Sequence, residues 1–419
     1  MEHDANDELP LTSGHAVREA LRARREIALI DVRSEHDFAQ AHALFAAQMS
    51  CERIVADAPW RLPRRDVCVV VCDDGHGLAE AAARQFRALG YSAVSLLEGG
   101  LDGWRDGGGE VFRDVNVPSK AFGELVEHER HTPSLSARDV KALLDAHADV
   151  VVLDARRFDE YQTMNIPGSI SVPGAELALQ ARALAPNPAT RVIVNCAGRT
   201  RSIIGTQSLV NAGIANPVCA LRNGTMGWTL AGFALEHGQA RRGGEPAPAL
   251  LDTARARAQA LALRAGAQRL PADAAGEAAP PGRTVYRYDV RTPEQFAAGH
   301  LPAFGSAPGG QLVQETDVFA PVRGARIVLV DGDGVRAPMT AHWLAQMGWD
   351  VAWLSDVPVS RFTATGAWPP PGVAGKTGRY RRPYEGSDSP QAAMQAYLDW
   401  ELGLVEQLAR DATHGFKVL

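Results

Sequence analysis

One pattern is written three times along this sequence, and that repetition constrains the fold more than any other feature. In each copy an apolar segment ends in Asp-x-Arg, at residues 29–33, 153–156 and 288–291. A second β-branched segment and a short loop follow. The motif Asp and the first loop residue keep nearly equal separations: Asp31 precedes Cys72 by 41 residues, Asp154 precedes Cys196 by 42, and Asp289 precedes Asp331 by 42. Chance does not produce such spacings, so the sequence predicts tandem domains.

Each copy alternates strand and helix patterns, which predicts an α/β fold with a parallel sheet and helices on both faces. The first two copies end in a Gly-rich turn closed by Trp104 and Trp228, each 32 residues after the loop cysteine. In the third copy residues 356–362 replace that turn. The predicted domains span residues 10–113, 134–240 and 283–370, and a C-terminal helix is predicted over 390–412.

The loop of the second copy carries the strongest chemical signal. Residues 191–202 contain a buried-strand pattern that ends at Cys196, then small residues, Arg199, Arg201, and the start of a helix. A helix N-terminus has unpaired N–H groups and a partial positive charge, so it favours an anion. With two arginines nearby, we expect the pKa of the Cys196 thiol to be lowered and the thiolate to predominate.

This loop resembles the active-site loop of the rhodanese family of sulfurtransferases, on the pattern C-x-x-x-x-R-S from Cys196 to Ser202. The resemblance implies three tandem rhodanese-like domains and a persulfide carried by Cys196. It implies that the loop residues bind the sulfur and its donor; they are Ala197, Gly198, Arg199, Thr200, Arg201 and Ser202. Arg201 and Arg199 are expected to hold an anionic donor, while Thr200 and Ser202 donate hydrogen bonds or cap the helix. Neither a metal nor an organic cofactor is expected. Related phosphatases have a loop one residue longer, which disfavours phosphate-ester chemistry here.

The other two loops differ from that of the second copy. Cys72 is followed by Asp73 and Asp74, and no arginine stands where Arg201 stands in the second copy. Negative neighbours disfavour a thiolate, so Cys72 is predicted to be a poor persulfide carrier, with a role as secondary sulfur acceptor left open. In the third loop Asp331 replaces the cysteine. A carboxylate cannot carry a sulfane sulfur, and the third domain is therefore predicted to be inactive.

All three copies keep the Asp-x-Arg motif, including the copy that lacks a cysteine. A structural role is therefore favoured over a catalytic one for Asp154 and Arg156. We expect the Asp to cap backbone groups beyond its strand and the Arg to pair with the acid a few residues later.

Composition limits the class of protein. The net charge of −6 gives no sign of a nucleic-acid partner. Five cysteines, an odd number, indicate a reduced, cytoplasmic protein rather than a disulfide framework. The acidic N-terminus does not resemble a signal peptide, and no 18-residue apolar window predicts a membrane span.

The segments outside the copies are predicted as connectors and a tail. Residues 114–133 are expected to form a solvated connector, and residues 249–268 a helix followed by a linker at 271–282. The tail helix has an apolar stripe expected to pack on the body of the chain or on a second copy, as a homodimer; it comprises Met394, Tyr397, Leu398, Leu402, Val405 and Leu408.

Two functions from different classes follow. The favoured one is a sulfurtransferase in which Cys196 takes a sulfane sulfur from thiosulfate or a related small anionic persulfide donor. A thiol, cyanide or a protein acceptor then removes the sulfur. The alternative is a non-catalytic scaffold or sulfur-carrier protein that binds partners.

Overall fold

In a computed structural model, residues 8–244, 248–368, 380 and 389–419 are described. Residues 1–7 of the acidic N-terminus, residues 369–370 of the predicted third domain and most of the segment before the tail lie outside that range. The described residues form three five-stranded parallel sheets, one for each copy of the sequence pattern. The α/β fold with three tandem domains is therefore confirmed.

The first domain is built on apolar strands, of which the inner ones are buried on both faces, as expected for a parallel sheet. Its elements are β1 (Leu11–Thr12), α1 (Gly14–Arg22), β2 (Ala28–Asp31), α2 (Glu35–Gln40), β3 (Ala46–Gln48), a 3₁₀ turn (Cys51–Arg53), α3 (Ile54–Arg61), β4 (Val69–Cys72), α4 (Leu78–Ala88), β5 (Val94–Leu97) and α5 (Gly100–Asp106). The strand order is β1-β5-β4-β2-β3. The loop that begins at Cys72 thus lies at the carboxyl end of the central strand.

A long helix, α6 (Val117–Arg130), leads into the second domain. The elements that follow are β6 (Ser134–Leu135), α7 (Ala137–Asp145), β7 (Val150–Asp154), α8 (Phe158–Thr163), β8 (Ile170–Ser171), a 3₁₀ turn (Gly174–Glu176), α9 (Leu177–Leu184), β9 (Arg191–Asn195), α10 (Thr200–Asn211), β10 (Val218–Leu221) and α11 (Gly224–Leu230). The order β6-β10-β9-β7-β8 repeats that of the first sheet and again places the loop after the central strand.

The third domain has the same strand order, β11-β15-β14-β12-β13. Its elements are α12 (Pro248–Arg264), β11 (Gln268–Leu270), a 3₁₀ turn (Ala272–Gly276), β12 (Val285–Asp289), α13 (Pro293–Ala298), β13 (Gly305–Ser306), α14 (Gly309–Gln314), α15 (Thr316–Phe319), β14 (Arg326–Val330), α16 (Arg336–Gln346), β15 (Asp350–Leu354) and a 3₁₀ turn (Val359–Arg361). The tail contains α17 (Pro390–Leu402) and α18 (Leu404–Asp411).

Three segments outside the copies differ from the prediction. The outer strand β11 pairs with β15, so the third sheet takes residues from before position 283. The predicted tail helix is divided at Gly403 into α17 and α18. The connector 114–133 is not solvated, because α6 buries Val117, Phe122 and Val126 between neighbouring elements. These segments are therefore parts of the packed body rather than spacers.

The Asp-x-Arg motif has the structural role that the sequence favoured, but the motif Arg pairs with the motif Asp and not with a later acid. In the second domain Arg156 binds its own Asp154, with Nη2 donating to Oδ2 at 2.7 Å, and also donates to the Met164 carbonyl oxygen at 2.6 Å. Arg33 and Arg291 repeat both contacts in their domains. The predicted pairing of the motif Arg with a later acid is therefore wrong. In the second domain that acid is Glu160, which makes other contacts.

The domains pack closely against one another. A continuous hydrophobic cluster joins the first and third domains with α6 and α18. Across the second and third domains, Arg336 forms a buried ion pair with Glu176, with Nε and Oε1 2.6 Å apart. The tail stripe packs on the body of the chain through Met394, Leu398 and Leu408. Within the described ranges, no helix has both the length and the hydrophobicity to cross a membrane.

Candidate active site

Cys196 follows the central strand β9 directly, and α10 begins four residues later at Thr200. Its side chain is only 2% exposed. The thiol donates to the Ser202 hydroxyl oxygen at 3.5 Å, and that hydroxyl donates to the Arg199 carbonyl oxygen at 2.8 Å. The Ser202 hydroxyl, in the first turn of α10, therefore links the Cys196 sulfur to the backbone of the loop.

The Gly-rich turn before Trp228 closes on this loop from the other side. The N–H of Thr225 donates to the Cys196 carbonyl oxygen at 2.9 Å, and the N–H of Met226 donates to that of Ala197 at 3.0 Å. Gly224 has a φ of +54°, and a Cβ there would lie 2.2 Å from the Cys196 oxygen. The constant spacing between loop and turn in the sequence thus reflects a direct backbone contact.

Replacing Gly224 with Ala is expected to displace the Cys196 loop and to lower the free energy of unfolding by about 2 kcal/mol, because of both the left-handed backbone and the clash. The matched control is Gly100→Ala in the first domain, where φ is +56° and a Cβ would lie 2.8 Å from the Asp73 oxygen. Urea denaturation should show a loss in both variants. The rate at which the Cys196 thiol reacts with an alkylating agent should change only in Gly224→Ala, and an unchanged rate in that variant would contradict the loop geometry.

Arg199 is turned toward α6 and is largely buried. Its Nε and Nη2 donate to the Glu124 carboxylate at 2.7 and 2.8 Å, and Nη2 also contacts Glu127. Its Nη1 donates to the Asn223 side-chain oxygen at 3.1 Å. The guanidinium expected to hold an anion is thus bound by two carboxylates from a distant helix, and no pattern in the sequence indicates this contact.

Arg201 is likewise paired. Its Nη1 and Nη2 donate to Oε2 and Oε1 of Glu160 at 2.6 and 3.0 Å. Both side chains are mostly buried, at 16% and 8% exposure. Glu160 is the acid that follows the Asp-x-Arg motif of the second copy, and it pairs with the loop arginine rather than with Arg156.

The prediction of a lowered pKa for the Cys196 thiol is wrong. Burial raises the pKa, while Arg201 and the hydrogen bonds of Ser202 lower it, and the balance lies above the usual value. Glu401 raises it further. The sequence showed the cations of the loop but neither the burial of the sulfur nor the carboxylates around it.

A cavity of about 280 Å³ opens over the loop residues 196–201. Apart from the loop, its walls come from α2 in the first domain, from α6, from the third domain and from the tail. The residues from outside the loop include Glu35, Ser119, Lys120, Gln314, Glu315, Tyr397 and Glu401. These residues could not be predicted from the sequence; the one available signal is Tyr397 in the tail stripe, with Glu401 one turn further along α17.

The surroundings of Cys72 in the first domain disfavour a thiolate. It is 1% exposed, and burial raises the pKa of its thiol well above the usual value, with Asp31 and Asp73 adding to the rise. Asp73 accepts the N–H groups of Gly75 and Ala79 and so caps α4. The direction agrees with the prediction that a thiolate is disfavoured at Cys72.

In the third domain Asp331 occupies the position of the cysteine. Its carboxylate accepts the N–H groups of Gly334 at 2.9 Å and Ala337 at 2.7 Å, which caps α16. Burial raises the pKa of Asp331 to about 7. The neighbouring Arg336 is bound to Glu176 of the second domain, so this loop serves as a contact between domains.

Among the described residues, no three His, Cys, Asp or Glu side chains are grouped as a metal ion would require. His128 and His131 are exposed at the end of α6.

A family model described as rhodanese-like domain matches residues 15–106 and 136–231. No curated protein matches the chain. Among solved structures, the crystal structure of a thiosulfate sulfurtransferase from Pseudomonas aeruginosa is 50% identical, covers 98% of this chain and 100% of that chain, and superposes with a TM-score of 0.94. The Alr3790 protein from Anabaena sp. is 26% identical, covers 25% of this chain and 84% of its own, and has a TM-score of 0.24.

Proposed function

The chain belongs to the rhodanese family of sulfurtransferases, and we propose that it moves a sulfane sulfur from thiosulfate or a related persulfide donor to a thiol or cyanide through a persulfide on Cys196. The observation that carries this proposal is the position of Cys196. Its sulfur lies at the carboxyl end of the central strand, beside the start of α10 and in a cavity large enough for a small anion. The likeness to the thiosulfate sulfurtransferase supports it.

In the first step the Cys196 thiolate attacks the sulfane sulfur of the donor. A new S–S bond forms, the bond between the two donor sulfurs breaks, and sulfite leaves with the electron pair when the donor is thiosulfate. The thiol proton passes to water. In the second step an acceptor thiolate or cyanide attacks the outer sulfur, and Cys196 leaves as a thiolate. Two separate half-reactions give ping-pong kinetics.

The negative outer sulfur of the persulfide needs stabilisation that the paired arginines supply only in part. The backbone N–H groups of residues 197–201 and the N-terminus of α10, which begins at Thr200, are the nearby groups that carry a partial positive charge. We assign them the main role in holding the sulfur, with Arg201 adding its charge from beside Glu160.

A non-catalytic scaffold is the second candidate. It is favoured by the two outer loops: the pKa of the Cys72 thiol is raised, Asp331 cannot carry sulfur, and Arg336 is used in a contact between domains. In our proposal these domains instead form the walls around the Cys196 cavity and restrict which donors and acceptors reach it.

Mass spectrometry of peptides tests the proposal. After incubation of the reduced protein with thiosulfate, the peptide containing Cys196 should gain the mass of one sulfur atom, and cyanide should remove it. The Cys72 peptide serves as the internal control and should not change. No gain on any cysteine with thiosulfate or a persulfide donor would overturn the proposal in favour of the scaffold.

A further inference from the structure

Helix α17 of the tail contributes a carboxyl group to the cavity that Cys196 lines. Glu401 on α17 is only 1% exposed. The Tyr397 hydroxyl donates to its Oε1 at 2.9 Å, whereas Oε2 has no hydrogen-bond partner among the described residues. Oε2 lies 3.3 Å from the point where a Cβ on Gly198 would sit. An unpartnered, buried oxygen therefore lies directly against the active-site loop.

The cations around this cavity are already neutralised. Arg199 is bound to Glu124 and Arg201 to Glu160. Lys120 donates to Asp114 Oδ1 at 2.6 Å. The charged residues that line the cavity are four acids and four bases: Glu35, Glu160, Glu315, Glu401, Lys120, Arg157, Arg199 and Arg201. Protonation of one lining acid therefore removes a negative charge that the nearby cations do not balance.

We propose that Glu401 controls the binding of the anionic sulfur donor. In its protonated form, Glu401 is neutral and leaves the cavity open to the donor anion. In its carboxylate form, Glu401 repels that anion. The inference rests on the proposed function, because it concerns the donor of the same Cys196 site. Glu401 suits this role because it lines the cavity and because, among the described residues, no hydrogen bond at Oε2 holds the carboxyl in its ionised form.

The electrostatics of the site support both forms near neutral pH. Burial raises the pKa of Glu401 to about 7, and Glu124 raises it, while Lys120, the Tyr397 hydroxyl and Arg199 lower it. Other titratable groups also face the site. Glu315 lines the same cavity, and burial raises its pKa; Cys196 is influenced by Glu401; Tyr380 lies near Tyr397. Below the Glu401 pKa the donor should bind, and above it binding should weaken.

The test is the KM for thiosulfate of the full-length protein at about pH 6 and about pH 8.5, on either side of this pKa. For the native protein, KM should rise about tenfold between them, as expected when one charge opposes an anion at close range. In Glu401→Gln, which stays neutral and keeps an oxygen for the Tyr397 hydroxyl, KM should change little. Glu406→Gln, at an exposed site on α18, is the matched control and should follow the native protein.

A second variant separates this role from a folding effect. Because the Tyr397 hydroxyl lowers the pKa of Glu401, Tyr397→Phe should move the midpoint of the KM profile to higher pH. If Cys196 gains sulfur but native protein and Glu401→Gln share one pH profile, the inference is overturned and the proposed function stands. If Cys196 gains no sulfur in any variant at either pH, the proposed function itself fails.

Discussion

Replacing Cys196 with Ser is expected to abolish sulfur transfer, with a loss of about a thousandfold or more in the rate of thiocyanate formation from thiosulfate and cyanide. A serine hydroxyl is a poor nucleophile toward sulfur and cannot hold a persulfide. The side chain is close in size, and the Ser202 hydroxyl oxygen that now accepts from the thiol can accept from a serine hydroxyl. The folded structure should therefore be retained, so the lost activity would report on the chemistry of the sulfur.

The control for this variant is Cys72→Ser, which removes the corresponding cysteine of the first domain. Because burial and two acids disfavour a thiolate at Cys72, this variant should transfer sulfur at the native rate. A loss of activity in Cys72→Ser, with persulfide still formed at Cys196, would instead indicate a relay between the two domains. Residual transfer in Cys196→Ser close to the native rate would contradict the assignment of the nucleophile.

Much of the fold could be predicted because each copy is specified locally. A buried parallel strand, a loop at its carboxyl end and a turn that packs on that loop are all encoded within one copy. The spacing between Cys196 and Trp228 is fixed by hydrogen bonds from Thr225 and Met226 to the loop carbonyl groups. Likewise, the Asp154–Arg156 pair is made within three residues. Such contacts leave a pattern that a single sequence reveals.

The walls of the cavity could not be predicted, because they come from distant segments. Glu124 lies in what the sequence presented as a connector, and Glu401 lies in a tail whose stripe indicated only packing. The prediction for the pKa of the Cys196 thiol is wrong because tertiary packing buries the sulfur, which raises that pKa more than Arg201 and Ser202 lower it. The sequence displayed Arg199 and Arg201 near the sulfur, but their charge is balanced by Glu124 and Glu160. Partners brought together by tertiary packing decide the electrostatics of the site.

The second large effect is expected from Arg201→Met, which leaves Glu160 without this guanidinium in a largely buried position. Breaking a buried ion pair on one side should lower the free energy of unfolding by about 3 kcal/mol. Persulfide formation at Cys196 should also slow, because Arg201 lowers the pKa of the thiol. Urea denaturation and the rate of sulfur uptake measured on the Cys196 peptide report the two losses separately.

The double variant Arg201→Met with Glu160→Gln separates the structural contribution of the pair from its chemical one. Removing both charges also removes the buried carboxylate charge that has lost the Arg201 guanidinium, so most of the lost stability should return. The rate of persulfide formation should remain low, since the thiol still lacks its neighbouring cation. Recovery of both properties would mean that Arg201 serves only to neutralise Glu160 and that the backbone N–H groups alone stabilise the sulfur. Recovery of stability alone would assign the Arg201 charge a part in activating Cys196.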